Sequence, residues 1–211
     1  IILLLLGLVI FAFGAHGLNQ PRYAVVGDEW SFFVLGRAIT RGTLQKHFLT
    51  GLGNYGMHPI FSSHIHAASM RIWGENNYGW RISNILLLTW SALSFYVFVR
   101  LFSSDRLTLL AVAFYSVSHY LLSFSKIGYN NIQALWPVCT ALAFFALALR
   151  RGSVYGMWLA GVITGFGFYV FALGRFAAPL LIAALFVYQF PVSRWRWLYW
   201  LVFLGGLFII A

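Results

Sequence analysis

Long apolar runs with few charged residues between them limit how this chain can fold. Hydrophobic residues make up 61% of its 211 residues and charged residues only 9%, whereas soluble domains carry about 25% charged residues. Inside a bilayer the backbone N–H and C=O groups have no water to bind, so a long apolar run is expected to be helical. The sequence therefore predicts an all-α polytopic integral membrane protein, with one transmembrane domain over residues 1–211.

Seven apolar runs are predicted to span the membrane, one before and six after a polar loop. The first run covers residues 1–18, and the loop covers residues 19–81. Because the sequence starts at Ile1 without Met and stops within an apolar run, we expect it to be a fragment of a longer chain. The six later runs lie within residues 82–211 and are Ile82–Val99, Leu107–Phe124, Ile132–Leu149, Val154–Leu173, Phe176–Phe190 and Trp197–Ala211.

The polar loop contains two segments that are predicted to lie as amphipathic helices on the membrane surface. In the first, near residues 29–41, apolar residues recur at helical spacing ahead of Gly42. The second, residues 58–73, is about 16 residues long and carries three histidines, whereas a spanning helix needs about 20 mostly apolar residues. If this second segment spanned the membrane instead, the loop before it would lie on the opposite side.

Basic residues outnumber acidic residues by 14 to four, and their placement bears on both partners and orientation. A nucleic-acid binder collects such charge on one solvated face, but here the basic residues lie at the ends of apolar runs, which excludes nucleic acid as a partner. The loops 100–106, 150–151 and 191–196 hold six basic residues, whereas the alternate loops hold only Lys126 and Arg175. Since basic residues favour the cytoplasmic side, the first three loops are predicted to be cytoplasmic and the polar loop external.

An acidic pair stands in the external loop of a chain that has only four acidic residues. Asp28 and Glu29 are adjacent, and Glu75 and Asp105 are the other two. Acidic residues also favour the first turn of a helix because of the helix dipole, which is the alternative interpretation of the pair. In so acid-poor a membrane chain, the pair indicates a functional site. No Cys/His spacing indicates a zinc site, since Cys139 is the only cysteine.

Five short motifs follow one another along the chain in an order typical of one enzyme group. They are Gly27-Asp28-Glu29, Arg41-Gly42, His58-Pro59, Gly74-Glu75-Asn76-Asn77-Tyr78-Gly79-Trp80-Arg81 and Ser125-Lys126-Ile127-Gly128-Tyr129-Asn130-Asn131. Each motif is weak alone, but the five in order, over about residues 1–190, resemble the membrane-embedded GT-C glycosyltransferases. The resemblance is to family 39 and its aminoarabinose-transferase and protein O-mannosyltransferase relatives, of which this chain matches the N-terminal part.

The resemblance implies a GT-C-like helical bundle of about seven transmembrane helices, with amphipathic juxtamembrane helices in the first external loop. It implies a glycosyltransferase of the bacterial inner membrane that moves a sugar from a polyprenyl-phosphate donor to an acceptor at the extracytoplasmic face, with inversion at the anomeric carbon. Asp28 resembles the family's catalytic Asp and is predicted to act as general base. Glu29 would orient the acceptor or water, or tune the charge of Asp28 by like-charge repulsion.

The same resemblance indicates residues that bind the substrate. The departing lipid phosphate needs cations, for which Arg81, Lys126 and Arg175 are the candidates. Many relatives carry Asp at the end of the fifth motif, where Asn stands here. Because Asn coordinates metal more weakly, no metal ligand is assigned, and a divalent cation is the one cofactor left open. The other predicted substrate-binding residues are His58, Tyr129, Asn130 and Asn131.

The sequence leaves one alternative to the transferase and disfavours another. A non-catalytic GT-C-like structural subunit of a larger membrane complex is the alternative, because the fifth motif lacks a carboxylate and the chain is short. A transporter is disfavoured, since no pair of broken helices occupies corresponding halves of the sequence. The transferase predicts a lipid-linked sugar donor and membrane lipids as partners, and the structural subunit adds other membrane proteins.

Overall fold

A computed structural model describes residues 2–18, 27–45, 47, 49–50, 58–189 and 197–211, with the backbone alone at residues 27, 28, 188 and 189. Within these ranges the protein is all-α and contains no strand, which agrees with the predicted fold class. A 3-10 turn, Ile132–Ala134, leads directly into α7. The helices in chain order are α1 Ile2–Ala15, α2 Gly27–Thr40, α3 Phe61–Trp73, α4 Asn77–Arg100, α5 Asp105–Val117, α6 His119–Ser125, α7 Leu135–Arg151, α8 Val154–Gly167, α9 Ala172–Arg175, α10 Ala177–Gln189 and α11 Trp197–Ile210.

Two helical stretches in the described ranges are long and apolar enough to cross a membrane. They are α4, with 24 residues, and the stretch Ile132–Arg151, with 20 residues. A third candidate is the pair α5 and α6, which meet at an angle of 53°. Ser118 between them leaves the helical region, with φ −52° and ψ 125°. The predicted run Leu107–Phe124 is therefore a bent pair of helices rather than one straight helix.

Four further apolar stretches are shorter than a straight membrane span. They are Ile2–Ala15, Val154–Gly167, Ala172–Val187 and Trp197–Ile210. A helix of 14 residues extends about 21 Å, whereas the hydrocarbon core of a bilayer is about 30 Å thick. The structure therefore supports two spans, or three with the bent pair, and the count of seven stays a prediction.

The largest apolar core lies between α7, α8, α10 and α11. Phe145, Met157, Leu185 and Phe203 are buried there, one from each helix. Helices α8 and α11 approach closely because small residues face each other, and a methyl group on Gly161 would overlap the carbonyl of Phe203. Close glycine contacts of this kind are typical of helix pairs in membranes.

Helix α4 connects this bundle to the region that carries the sequence motifs. It packs against α1, α3, α5 and α7. The side chain of Asn76 accepts a hydrogen bond from the Gly79 N–H at 2.8 Å and so caps its first turn. The residues that follow, from Gly79 to Ile85, are all buried. The start of α4 is therefore a fixed platform for the side chains around it.

Helices α2 and α3 lie in the two segments for which surface helices are predicted. They pack on each other through Ile39, Ile60 and Ala67, and α3 packs in turn on α4. Arg71 donates a hydrogen bond to the Ile39 carbonyl at 3.2 Å, which ties the end of α3 to α2. The 13 residues of α3 extend only about 20 Å, too short to cross the hydrocarbon core.

Candidate functional site

A buried ion pair joins three of the five motifs. Arg81 Nε lies 2.8 Å from Glu29 Oε1, and Arg81 Nη2 lies 3.1 Å from Glu29 Oε2. Both side chains are fully buried. The backbone N–H of Gly128 donates a further hydrogen bond to Glu29 Oε1 at 2.6 Å. The carboxylate of Glu29 thus holds together the start of α2, the start of α4 and the turn 125–131.

The geometry of this pair explains why these residue types occur there. A guanidinium presents two parallel N–H groups that match the two oxygens of a carboxylate. Trp80 packs its ring on Gly128, where a methyl group would overlap the indole. Only glycine at position 128 therefore lets the turn come close enough to donate its N–H to Glu29.

A chain of neutral hydrogen bonds holds the same turn from the other side. Asn84 Nδ2 donates to the carbonyls of Ile127 and Tyr129 at 2.6 and 2.9 Å. Gln133 Nε2 donates to Asn84 Oδ1 at 2.7 Å and lies 3.1 Å from His66 Nε2. Asn84, Gln133 and His66 are all fully buried. This network connects α3, α4 and the 3-10 turn beneath the fifth motif.

His66 is neutral in this network. Its Nδ1 lies 2.8 Å from the Trp80 carbonyl oxygen, which only accepts, so Nδ1 carries the proton and Nε2 is free to accept from Gln133. Burial is the largest influence and lowers the pKa of His66 to about 4, against the opposing effect of the Trp80 carbonyl. His66 therefore stays uncharged at neutral pH.

An aromatic cluster brings His58 to Tyr129. The rings of His58 and Phe171 are stacked, with centroids 5.9 Å apart and planes 5° apart. Phe32 of α2 meets Tyr129 edge-on at 5.1 Å and His58 at 5.6 Å. The second surface segment, the fifth motif and the residues after α8 therefore meet at one place.

The two asparagines at the end of the fifth motif are both engaged with backbone groups. Asn130 is fully buried and donates from Nδ2 to the Val170 carbonyl at 3.1 Å. Its Oδ1 is buried and has no hydrogen-bond partner among the described residues. Asn131 accepts from the Ile132 N–H at 2.8 Å and caps the 3-10 turn. Both amide groups therefore anchor the end of the fifth motif to the backbone around it.

The remaining predicted cations lie at the edge of this region. Lys126 Nζ donates to the His16 carbonyl at 2.9 Å, which ties the fifth motif to the end of α1. Arg175 is exposed on the four-residue helix α9, and α9 lies against the 3-10 turn. Both cations are therefore near the fifth motif, and Lys126 is half-buried.

The side chain of Asp28 lies outside the described part of the protein. Its backbone belongs to the first turn of α2, next to Glu29. Across the side chains that are described, no three His, Cys, Asp or Glu residues group together as metal ligands. The oxygens of Glu29 already bind Arg81 and Gly128.

Residues 57–211 match the family described as dolichyl-phosphate-mannose-protein mannosyltransferase. The match covers well over half of the chain. The chain belongs to this family.

Curated relatives of this mannosyltransferase-family chain are named undecaprenyl phosphate-alpha-4-amino-4-deoxy-L-arabinose arabinosyl transferases. Those of Pseudomonas paraeruginosa strain PA7 and Pseudomonas aeruginosa strain PAO1 are each 28% identical to it over 205 residues. That of Pseudomonas aeruginosa strain LESB58 is 29% identical over the same length. The alignments cover 90% of this chain but 35% of each relative, so the chain spans about a third of their length. No solved structure matches the chain.

These matches confirm the resemblance to GT-C glycosyltransferases of the family 39 type. The match to the mannosyltransferase family begins at residue 57, so it includes His58, Arg81 and the turn 125–131. It does not include Asp28 and Glu29. The contact between Glu29 and Arg81 is what links the acidic pair to the part of the chain that the family match covers.

Several residues of the site were not singled out from the sequence. His66 lies in the segment 58–73, which is predicted to be a surface helix, but it is buried in the hydrogen-bond network. Glu75, in the turn between α3 and α4, pairs with Arg37 and Arg41 at 2.9 and 2.7 Å. A hydrogen bond from Arg41, together with Arg37, holds the pKa of Glu75 below its ordinary value. The other members outside the predicted site residues are Phe32, Asn84, Gln133 and Phe171, together with Gly128 of the fifth motif.

A sequence pattern could have predicted two of these residues, Asn84 and Gln133. Asn84 and Gln133 are amide side chains near the ends of apolar runs, where an unpaired amide is unfavourable. Such residues are expected to find partners inside a bundle. The two phenylalanines carry no such signal, because apolar residues are common throughout this chain.

Proposed function

We propose that this protein transfers a sugar from a polyprenyl-phosphate-linked donor to an acceptor at the extracytoplasmic membrane face. The observation that carries the proposal is the buried contact of Glu29 with Arg81 and Gly128, which gathers the acidic pair and two further motifs into one site. The names of the relatives support the class of donor, since they contain undecaprenyl phosphate and an amino sugar. The donor proposed here is a sugar on a phosphate of this polyprenyl type.

The reaction is an inverting displacement at the anomeric carbon of the sugar. The acceptor oxygen forms a new bond to that carbon, and the bond from the carbon to the lipid phosphate breaks. The phosphate leaves with the bonding electron pair, and a base takes the proton of the acceptor. We assign Asp28 as this base, because general bases are often carboxylates positioned beside the acceptor.

Glu29 and Arg81 have a positioning role in this mechanism. Both oxygens of Glu29 are engaged by Arg81, and one of them also accepts from Gly128. A carboxylate bound in this way fixes the first turn of α2 and therefore the backbone of Asp28. Arg81 thereby acts through Glu29, by holding this carboxylate in place. Its buried positive charge remains close to the site.

The cations for the departing phosphate are Lys126 and Arg175 in this proposal. Positioned cations stabilise charge that develops on a leaving group. The rings of His58 and Tyr129 lie 6.3 Å apart, and we assign these two residues, with Asn130 and Asn131, to substrate binding.

Replacement of the base tests the proposal. In the whole protein, Asp28→Asn is expected to lower transfer by about 100-fold or more, since general base catalysis contributes about 10² to 10⁴ in rate. The measurement is the release of undecaprenyl phosphate from undecaprenyl phosphate-4-amino-4-deoxy-L-arabinose by membranes that hold the acceptor. Asp105→Asn is the matched control, because Asp105 is an exposed carboxylate paired with Arg100 at the other end of α4.

The same assay separates the transferase from the structural subunit. Unchanged release by Asp28→Asn, at equal amounts of protein, would remove Asp28 as the base. Absence of release by the wild-type protein, together with its recovery in a complex with other membrane proteins, would support the structural subunit instead. We expect Asp28→Asn to lose the release of undecaprenyl phosphate and Asp105→Asn to retain it.

A further inference from the structure

An apolar groove lies at the end of the bundle opposite the candidate site. Its walls come from the last turn of α4, the second half of α7 and the middle of α10, and its volume is about 590 Å³. Phe98, Phe102, Phe145 and Leu149 line it, and almost all of its surface is apolar. The 24 residues of α4 extend about 36 Å, so the groove is remote from Arg81.

One arginine lines this groove. Arg150 is one of the lining residues, and its Nη1 donates to the Leu101 carbonyl at 3.1 Å. Arg106 and Arg151 are exposed in the loop segments 100–106 and 150–151, which the hydrogen bond of Arg150 connects. Asp105 pairs with Arg100 and is the one acidic side chain of these loops. The lining of the groove therefore carries one positive charge, at Arg150, and is otherwise apolar.

The apolar interior and the arginine together determine which kind of molecule can bind in the groove. The interior offers no polar partner, so the part that enters has to be a hydrocarbon. Arg150 offers a guanidinium group, which binds phosphate oxygens well. Basic pockets between membrane helices at the headgroup level are typical binding sites for anionic lipids. An apolar protein helix would match the walls but would offer no anion to Arg150.

We propose that the groove holds an acyl chain of an anionic phospholipid, with the lipid phosphate at Arg150. The lipid bridges α4, α7 and α10 at the end where Arg150 already joins α7 to the Leu101 carbonyl. This assignment is independent of the proposed transferase reaction, because no residue of the candidate site takes part in it.

A charge comparison tests the headgroup part of the proposal. The whole protein is purified in detergent, freed of lipid, and titrated with phosphatidylglycerol or with phosphatidylcholine of the same acyl chains, and bound lipid is counted by native mass spectrometry. Arg150→Gln is expected to weaken the binding of phosphatidylglycerol about fivefold, which is the effect of one basic residue near a lipid surface. The binding of phosphatidylcholine should stay unchanged. Arg151→Gln is the matched control, since Arg151 is adjacent but lines a separate recess with Ser153 and Tyr155.

A steric comparison tests the acyl-chain part. Ala146 lines the groove, whereas Ala143 lies on the same helix and faces another apolar groove, beside Trp90. Ala146→Trp is expected to reduce the binding of both phospholipids, and Ala143→Trp is expected to leave the Arg150-dependent binding of phosphatidylglycerol intact. If either tryptophan variant fails to fold, the two arginine variants decide the question.

Three outcomes would overturn the proposal. Equal weakening by Arg150→Gln and Arg151→Gln would show attraction to surface charge in general rather than a site. Equal effects of the two tryptophan variants would remove the groove as the position of the acyl chain. Displacement of bound phosphatidylglycerol by equimolar undecaprenyl phosphate would assign the groove to the lipid of the sugar donor instead.

Discussion

At the scale of single residues, the pair Glu29 and Arg81 determines how the site is held together. Both side chains are removed completely from solvent, which is unfavourable for two charges unless their hydrogen bonds are satisfied. The bidentate contact and the Gly128 N–H provide these bonds. Loss of either partner would leave the other charge buried and unpaired.

We therefore expect strong coupling between these two residues. Glu29→Gln or Arg81→Met alone should each lower the free energy of unfolding by about 3 to 5 kcal/mol. The double variant should lose clearly less than the sum of the two. Thermal unfolding in detergent measures all three proteins, and additive losses would show that the pair does not act as a unit. Glu75→Gln is the control, because its ion pairs with Arg37 and Arg41 are partly exposed and its effect should be small.

His66 gives the site a predicted dependence on pH. Its pKa is about 4 in the folded protein and 6.5 ordinarily, so between these values the unfolded state binds more protons. Stability therefore falls as the pH drops from about 6.5 to 4, by about 3 kcal/mol at most. His66→Asn keeps a donor for the Trp80 carbonyl and should flatten this part of the stability profile.

The measurement is the midpoint of thermal unfolding at a series of pH values. His47→Asn serves as control, because His47 is exposed and its removal should leave the profile unchanged. A wild-type profile with no fall between pH 6.5 and 4 would contradict the burial of a neutral His66.

At the scale of whole helices, the contact between α8 and α11 depends on glycine. A methyl group on Gly161 would overlap the Phe203 carbonyl, and one on Gly206 would approach the Trp158 carbonyl. Because these obstacles are backbone atoms, the helices would have to separate. The contact also supports α10, which shares the apolar core with α8 and α11.

Two glycine substitutions separate this contact from helix propensity. Gly161→Ala is expected to lower the free energy of unfolding by about 1 to 3 kcal/mol through overpacking. Gly205→Ala, on α11 with nothing within 4 Å of the added methyl, should be neutral or stabilising, since Ala favours a helix by about 1 kcal/mol over Gly. The same effect of both variants in thermal unfolding would contradict the close packing of α8 on α11.

At the scale of the whole molecule, the site and the arginine-rich loops lie at opposite ends of α4. Arg81 is buried near its start, and Arg100 is at its end. If the arginine-rich end faces the cytoplasm, as the distribution of basic residues favours, the site faces outward. This orientation is a prediction that chemical labelling can measure.

Cysteine labelling in intact cells determines the orientation. Cys139 is the single cysteine and is buried, so Cys139→Ser provides a background without reactive thiols. Asn77→Cys, exposed at the start of α4, should react with a maleimide that cannot cross membranes. Ser104→Cys, exposed at the other end, should react only after the cells are opened. The reverse pattern would place the site in the cytoplasm.

The sequence by itself determined the class of fold and the family. Few charges and long apolar runs leave helices in a membrane as the solution for the backbone, and the structure is all-α in the ranges that it describes. The order of the five motifs was enough to indicate GT-C glycosyltransferases, which the family match confirms. These features are local or follow the order of the chain, so they can be read along it.

Only the tertiary structure decided which side chains are neutralised, stacked or left exposed. Arg81, which the sequence predicts at the lipid phosphate, is paired with an acid 52 positions earlier in the chain. His66 has the spacing of a surface helix but lies under Trp80, and the run 107–124 bends at Ser118. The spacing of residues along a helix determines which face a side chain occupies. It does not determine which distant element covers that face, and burial and pairing depend on that element.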